Sequence, residues 1–121
     1  MVRRDIRDYL NDILTYIDLA ESFVQGLTFD DFKADDKTVL ALTRAIEIVG
    51  EATKQLPINL TQQYPDIDWK QIAGMRDRLA HAYFGIDLDI VWNTTHEELP
   101  KLKPVIRTLL DYLMTTEVID D

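Results

Sequence analysis

The chain of 121 residues contains no cysteine. That excludes disulfides, a thiolate nucleophile and any cysteine-ligated metal. Histidine is nearly as scarce: His81 and His96 are the two side chains able to exchange a proton near neutral pH without a perturbed pKa. Glycine and proline number four each, and no internal repeat, low-complexity linker or convincing strand pattern appears. No run stays apolar for the roughly 20 residues that a membrane span requires. Met1 to Asp5 lead straight into a charged amphipathic pattern, so a cytoplasmic protein without a membrane partner is expected. Positive charge is also in deficit, 13 Lys and Arg against 22 Asp and Glu, for a net charge of −9. Broad coating of nucleic acid is excluded, because phosphate affinity comes from neutralisation by Lys and Arg. A local basic groove is not.

What is present is the composition of a folded domain, 46% hydrophobic and 29% charged, at a length that fits residues 1–121 as a single domain. Ile6, Tyr9/Leu10, Ile13, Tyr16/Ile17, Ala20 and Phe23/Val24 recur in steps of three and four and predict a first long helix closed by Gly26. Thr28 and Asp31 have capping-box spacing for a short turn through Phe32. Asp35 or Asp36 opens a second long helix that Pro57 stops, and Ile58 to Pro65 read as one loose turn plus loop. A third long helix is expected from Asp68, its N-cap, through Tyr83, ended by Gly85. Asp87 to Glu98 predict a fourth helix with Thr94 and Thr95 inward. Pro100, tolerable at a helix start, opens a last helix to about Met114. The fold class is therefore all-α, an antiparallel bundle of four to five helices. Adjacent apolar pairs such as Leu109/Leu110 and Tyr16/Ile17 make wide stripes that suggest a homodimer.

The segment Arg76-Asp77-Arg78-Leu79-Ala80-His81-Ala82-Tyr83 concentrates the groups capable of chemistry. Asp77 lies four residues before His81, on the same helix face, where its carboxylate can orient the imidazole. Arg76 and Tyr83, seven apart, line up along a neighbouring face. Arg76 and His81 diverge by about 140° around one helix, so a single helix focuses them poorly. An ordinary surface ion network of Asp77, Arg78 and His81 is the alternative that spacing leaves open. His96 reads as a solvated histidine favoured by a helix end. Trp69 and Trp92 read as core or dimer anchors. Glu47 and Glu51 share a face that suits a divalent metal or an acid–base pair, although an arginine-paired or solvated face is the simpler reading. Arg44, Lys54, Lys70 and Arg78 are candidates for a basic groove.

The same segment resembles the Arg-x4-His-x-Tyr motif of the HEPN superfamily, in particular its HepT-type toxins. Ile48-Val49-Gly50-Glu51-Ala52, the run from Pro65 through Ile67, Trp69, Lys70 and Ile72 to Met75, and Ile90-Val91-Trp92 agree in order along nearly the whole chain. The resemblance implies a metal-independent endoribonuclease of a toxin–antitoxin system, needing no cofactor and acting on RNA at a composite site between two subunits of a homodimer. It implies catalytic roles for Arg76 and His81, matches Asp77 to the polar residue that follows the motif arginine, and implies AMPylation of Tyr83 by a MntA-type nucleotidyltransferase antitoxin, with which higher assembly can occur. The alternative within the resemblance is a catalytically silent helper that binds a partner nucleotidyltransferase.

Overall fold

The computed structural model describes residues 4–81 and 87–120, with side chains at 4–79 and 87–115. Every regular element among them is helical. Helix α1 (Ile6–Val24) starts at Asp5, whose carboxylate accepts from the backbone N–H groups of Arg7 and Asp8, while Asp8 reaches back to the Asp5 N–H. It ends before Gly26, which has a φ of 78°. That left-handed conformation is cheap for glycine and lets the chain turn without strain. Helix α2 (Phe29–Lys33) begins with the expected reciprocal bonds between Thr28 and Asp31. Helix α3 (Asp36–Lys54) is capped by Asp35. Of the two capping candidates, Asp35 takes the role because it has extended backbone geometry and its carboxylate reaches Thr38. One short turn, α4 (Ile58–Thr61), follows Pro57.

The third predicted helix is divided. Asp68 caps it as expected, but Gly74 separates α5 (Trp69–Ala73) from α6 (Met75–His81). Gly74 closes α5 with its N–H on the Lys70 carbonyl and leaves the helical conformation at ψ 3°. A glycine inside a helix favours such a break because it adds no side chain to hold the turn. The predicted end of this helix, Tyr83 and Gly85, lies outside the described residues.

The last two predicted helices are instead one rod. Helix α7 (Leu88–Asn93) runs through a π-helical turn, Thr94–Glu98, into α8 (Leu99–Asp120). Pro100 is thus not at a free helix start. The wider turn, closed by the Leu99 N–H on the Thr94 carbonyl, accommodates a residue with no N–H to donate without ending the rod. Beyond Pro104 no glycine or proline intervenes, and α8 continues past Met114 to Asp120.

Helix α3 is the centre of the molecule. It packs most extensively on α1 and also touches α2, α5, α6 and α7, while α8 lies against α1. Leu10, Ile13 and Ile17 of α1, Leu42, Ile46 and Val49 of α3, and Leu102 and Ile106 of α8 are fully or almost fully buried. Lys103 ties α8 to α1 through Asp18 (2.7 Å) and Glu21 (3.2 Å), and its hydrogen bonds to these carboxylates hold the ammonium pKa above its ordinary value. The wide apolar stripes are used up within the chain. Ile17, Leu109 and Leu110 are buried and Tyr16 is half-buried, so stripe width alone does not call for a second copy.

A close approach positions the site. A Cβ added at Gly50 would stand 2.7 Å from the Ile72 carbonyl oxygen and 3.4 Å from Met75 Cβ. The backbone of α3 is therefore seated directly on the junction of α5 and α6. Among the described residues no helix is long and apolar enough to cross a membrane.

Candidate functional site

Buried Met75 and Leu79, four residues apart on α6, anchor that helix to α3. The residues between them point away from the anchor, and Arg76, Asp77 and Arg78 are all exposed. Arg76 extends back toward α3, where its Nη1 forms an ion pair with Oε1 of Glu51 at 2.6 Å. The seating of Gly50 explains the pairing: Glu51 is the next residue on α3, as Arg76 is the next after Met75 on α6. Both side chains keep substantial solvent contact, 61% for Arg76 and 40% for Glu51. Such a pair contributes at most about 1 kcal/mol to stability. Its interest lies in where it holds the guanidinium.

Asp77 and His81 both belong to α6, so their four-residue spacing is one helical turn of continuous backbone. Arg76 and His81 stand five positions apart in the same helix, about 140° around its axis. The His81 side chain and all of Tyr83 lie outside what is described. Arg78 faces elsewhere. It lines a cleft of about 180 Å³ with Gln71, Asn93 and Glu97, and a Gln71 amide turned to satisfy both neighbours accepts from Arg78 at 3.0 Å and donates to Asp68 at 3.1 Å. Arg76 and Arg78 therefore serve different faces of α6. Arg44, Lys54 and Lys70 are exposed.

Of the two glutamates singled out on α3, Glu51 is arginine-paired, in line with the simpler reading. No cluster of three or more histidine or acidic side chains suited to a metal occurs among the described residues. Glu51 also borders a cleft of about 320 Å³ between α1 and α3, together with Arg4, Tyr9, Asp12, Ile48 and Gln55. In that cleft Arg4 bonds Asp12 at 2.6 Å and lies 5.0 Å from the Tyr9 ring centroid. This neighbourhood was not legible in the sequence, because Arg4 and Tyr9 are some forty residues from Glu51.

His96 is exposed, but it sits in the π turn and not at a helix end. Its ring lies 4.1 Å from that of Trp92, and its Nδ1 bonds the Trp92 carbonyl at 2.8 Å. Trp92 in turn packs on Phe29 and on buried Phe32, which makes it an anchor of the α2–α7 contact. Trp69, half-buried, donates from Nε1 to the Tyr64 carbonyl at 2.9 Å and closes the loop before α5. Both tryptophans are thus held in intramolecular contacts.

An all-α domain with an exposed arginine on a short helix, held by a carboxylate from the central helix, is the frame on which the motif sits. The Ribonuclease HepT-like family model matches residues 13–109, a span that includes Glu51 and the whole of Arg76 to Tyr83. The chain is 45% identical over 102 residues to the "Probable ribonuclease HepT" of Thermococcus cleftensis, covering 84% of this chain and 93% of that protein. It is 40% identical over 103 residues to a "Putative RNase" of Methanocaldococcus jannaschii, covering 85% of this chain and 89% of that protein. A "Putative RNase" of Caldanaerobacter subterraneus is 39% identical over 104 residues, 86% of this chain and 93% of its own length. No solved structure matches the chain. The chain belongs to the HepT-like ribonuclease family of the HEPN superfamily.

Proposed function

We propose that the protein is a metal-independent endoribonuclease toxin that acts as a homodimer, with Arg76 and His81 as its catalytic residues. The observation that carries this reading is the intact order Arg76, Asp77, His81, Tyr83 within a chain matched by the ribonuclease family over residues 13–109. The exposure of Arg76 on α6 fits a group that meets a large polyanion. In this reading the ribose 2′-oxygen attacks the adjacent phosphorus, the P–O5′ bond breaks, and the products end in a 2′,3′-cyclic phosphate and a 5′-hydroxyl. His81 moves the proton as general base or acid, a contribution of about 10²–10⁴-fold. Arg76 binds the scissile phosphate and offsets charge developing on its oxygens through its planar multi-donor head. Asp77, one turn before His81, orients the imidazole.

The antiparallel HEPN-type bundle pairs with a second copy, so that two motifs face each other and the divergence of Arg76 and His81 on one helix is made good across the interface. The requirement for a 2′-hydroxyl restricts the substrate to RNA without base readout. The setting is cytoplasmic. A MntA-type nucleotidyltransferase antitoxin transfers AMP from ATP to the Tyr83 hydroxyl, breaking the α–β phosphoanhydride bond with release of pyrophosphate. The added AMP places phosphate charge beside the site and repels RNA.

Cleavage of an RNA oligonucleotide that persists in EDTA, fails on the 2′-deoxy analogue, and is lost in folded Arg76→Ala and His81→Ala variants is the expected result. Retained cleavage in both variants, or strict metal dependence, refutes the assignment. Intact-mass analysis after incubation with the antitoxin and ATP should show one added AMP per chain. A Tyr83→Phe protein that still gains AMP would remove Tyr83 from the scheme.

A further inference from the structure

The reaction outlined above leaves Glu51 without a part, although its carboxylate is ion-paired with the arginine on which that reaction depends. We propose that Glu51 is a positioning residue for Arg76, a carboxylate that fixes the direction of the guanidinium before substrate arrives. The proposal rests on the reading of Arg76 as catalytic.

The contact is an ion pair, with Nη1 of Arg76 2.6 Å from Oε1 of Glu51. The guanidinium is a planar head with five N–H donors, more than one carboxylate oxygen can take up. The register of the pair is set by backbone, not by the flexible ends of side chains. Gly50 brings α3 so close to the Ile72 carbonyl that a methyl group would overlap it. Met75 and Leu79 bury the inner face of α6. Both partners therefore project from fixed points. A long arginine side chain with most of its surface in water otherwise samples many rotamers, and a misplacement of about 1 Å at a reacting centre can cost 10²-fold in rate. The carboxylate also lowers the positive potential at Arg76. Its removal should weaken catalysis without weakening RNA binding.

The test uses the full chain and a fluorescent RNA oligonucleotide. Glu51→Ala should lower kcat by about 10–100-fold with KM unchanged or reduced, at a thermal midpoint within a few degrees of the parent. Glu51→Gln, which keeps size and an oxygen acceptor, should recover part of that kcat. Nitrogen-15 relaxation of the Arg76 Nε–H should report an ordered side chain in the parent and a mobile one in Glu51→Ala, a change that a purely structural role would not produce. A parent-like kcat in Glu51→Ala, with Arg76→Ala inactive, overturns the role of Glu51 while leaving Arg76 in place. So does a raised KM at constant kcat. Full activity in Arg76→Ala overturns the catalytic reading itself, and the relaxation experiment then still decides whether Glu51 orders Arg76.

Discussion

Adding a single methyl group at Gly50 should destabilise this protein, although the same change in an isolated helix stabilises it. Gly50 lies within α3, where alanine is favoured over glycine by about 1 kcal/mol through backbone entropy. Against that gain stands the new Cβ, 2.7 Å from the Ile72 carbonyl oxygen, about 0.7 Å short of the 3.4 Å at which ordinary contact begins. The obstructing atom is backbone, and its residue is buried, so the clash is relieved only by moving α3 away from α5 and α6. Overpacking of this kind costs about 1–3 kcal/mol, and a backbone partner places it in the upper part of that range. The net loss is then about 1–2 kcal/mol, or about 3–10 °C in Tm for a domain of this size. Calorimetry or urea unfolding of Gly50→Ala measures it directly. Gly74→Ala is the internal control: its Cβ would meet the Lys70 carbonyl at 3.3 Å, a conflict of about a tenth of an ångström, and its effect should stay within about 1 kcal/mol of zero. Stability equal to or above the parent in Gly50→Ala would refute the seating of α3 on the α5–α6 junction, and with it the structural basis of the Glu51–Arg76 pair.

Four further outcomes are expected. Phe32→Ala should cost about 3–5 kcal/mol in denaturant unfolding, since this ring is fully buried and packs on Phe29 and Trp92. His96→Ala removes the ring on Trp92 and should cost about 0.5–1.5 kcal/mol; a neutral result would show that the stack adds nothing beyond exposure. The Lys103 ammonium is held above its ordinary pKa of 10.5 by Asp18 and Glu21. Its added stability is therefore fully present below that pH and is lost as pH rises through the raised value, so Lys103→Met should flatten the alkaline limb of a Tm–pH curve. The Asp35 carboxylate is held below its ordinary 3.8 by the Thr38 hydroxyl and then by the Thr38 backbone N–H. Its contribution is present above that pH and lost as pH falls through the lowered value, so Thr38→Val should move the acid unfolding midpoint upward.

Features that depend on a few neighbouring residues were legible in the sequence. Gly26 closes α1, Thr28 and Asp31 cap each other, and Asp68 opens α5, because capping is a contest between one side chain and a few adjacent N–H groups. The motif was equally visible, since its meaning lies in residue types at fixed intervals. The break at Gly74 and the π turn before Pro100 were not. Periodicity registers a glycine or proline as a boundary or as nothing, whereas packing on both sides decides whether the chain divides or runs on. Composition and pattern by themselves thus determined that the protein is all-helical, where most helices begin, and which segment matches the family's motif. Only the tertiary structure decided that Arg76 meets Glu51 and that Arg78 faces the other way. Those outcomes follow from the missing side chain of Gly50, 26 residues before Arg76, which lets two helices touch backbone to backbone, a contact that no local pattern encodes.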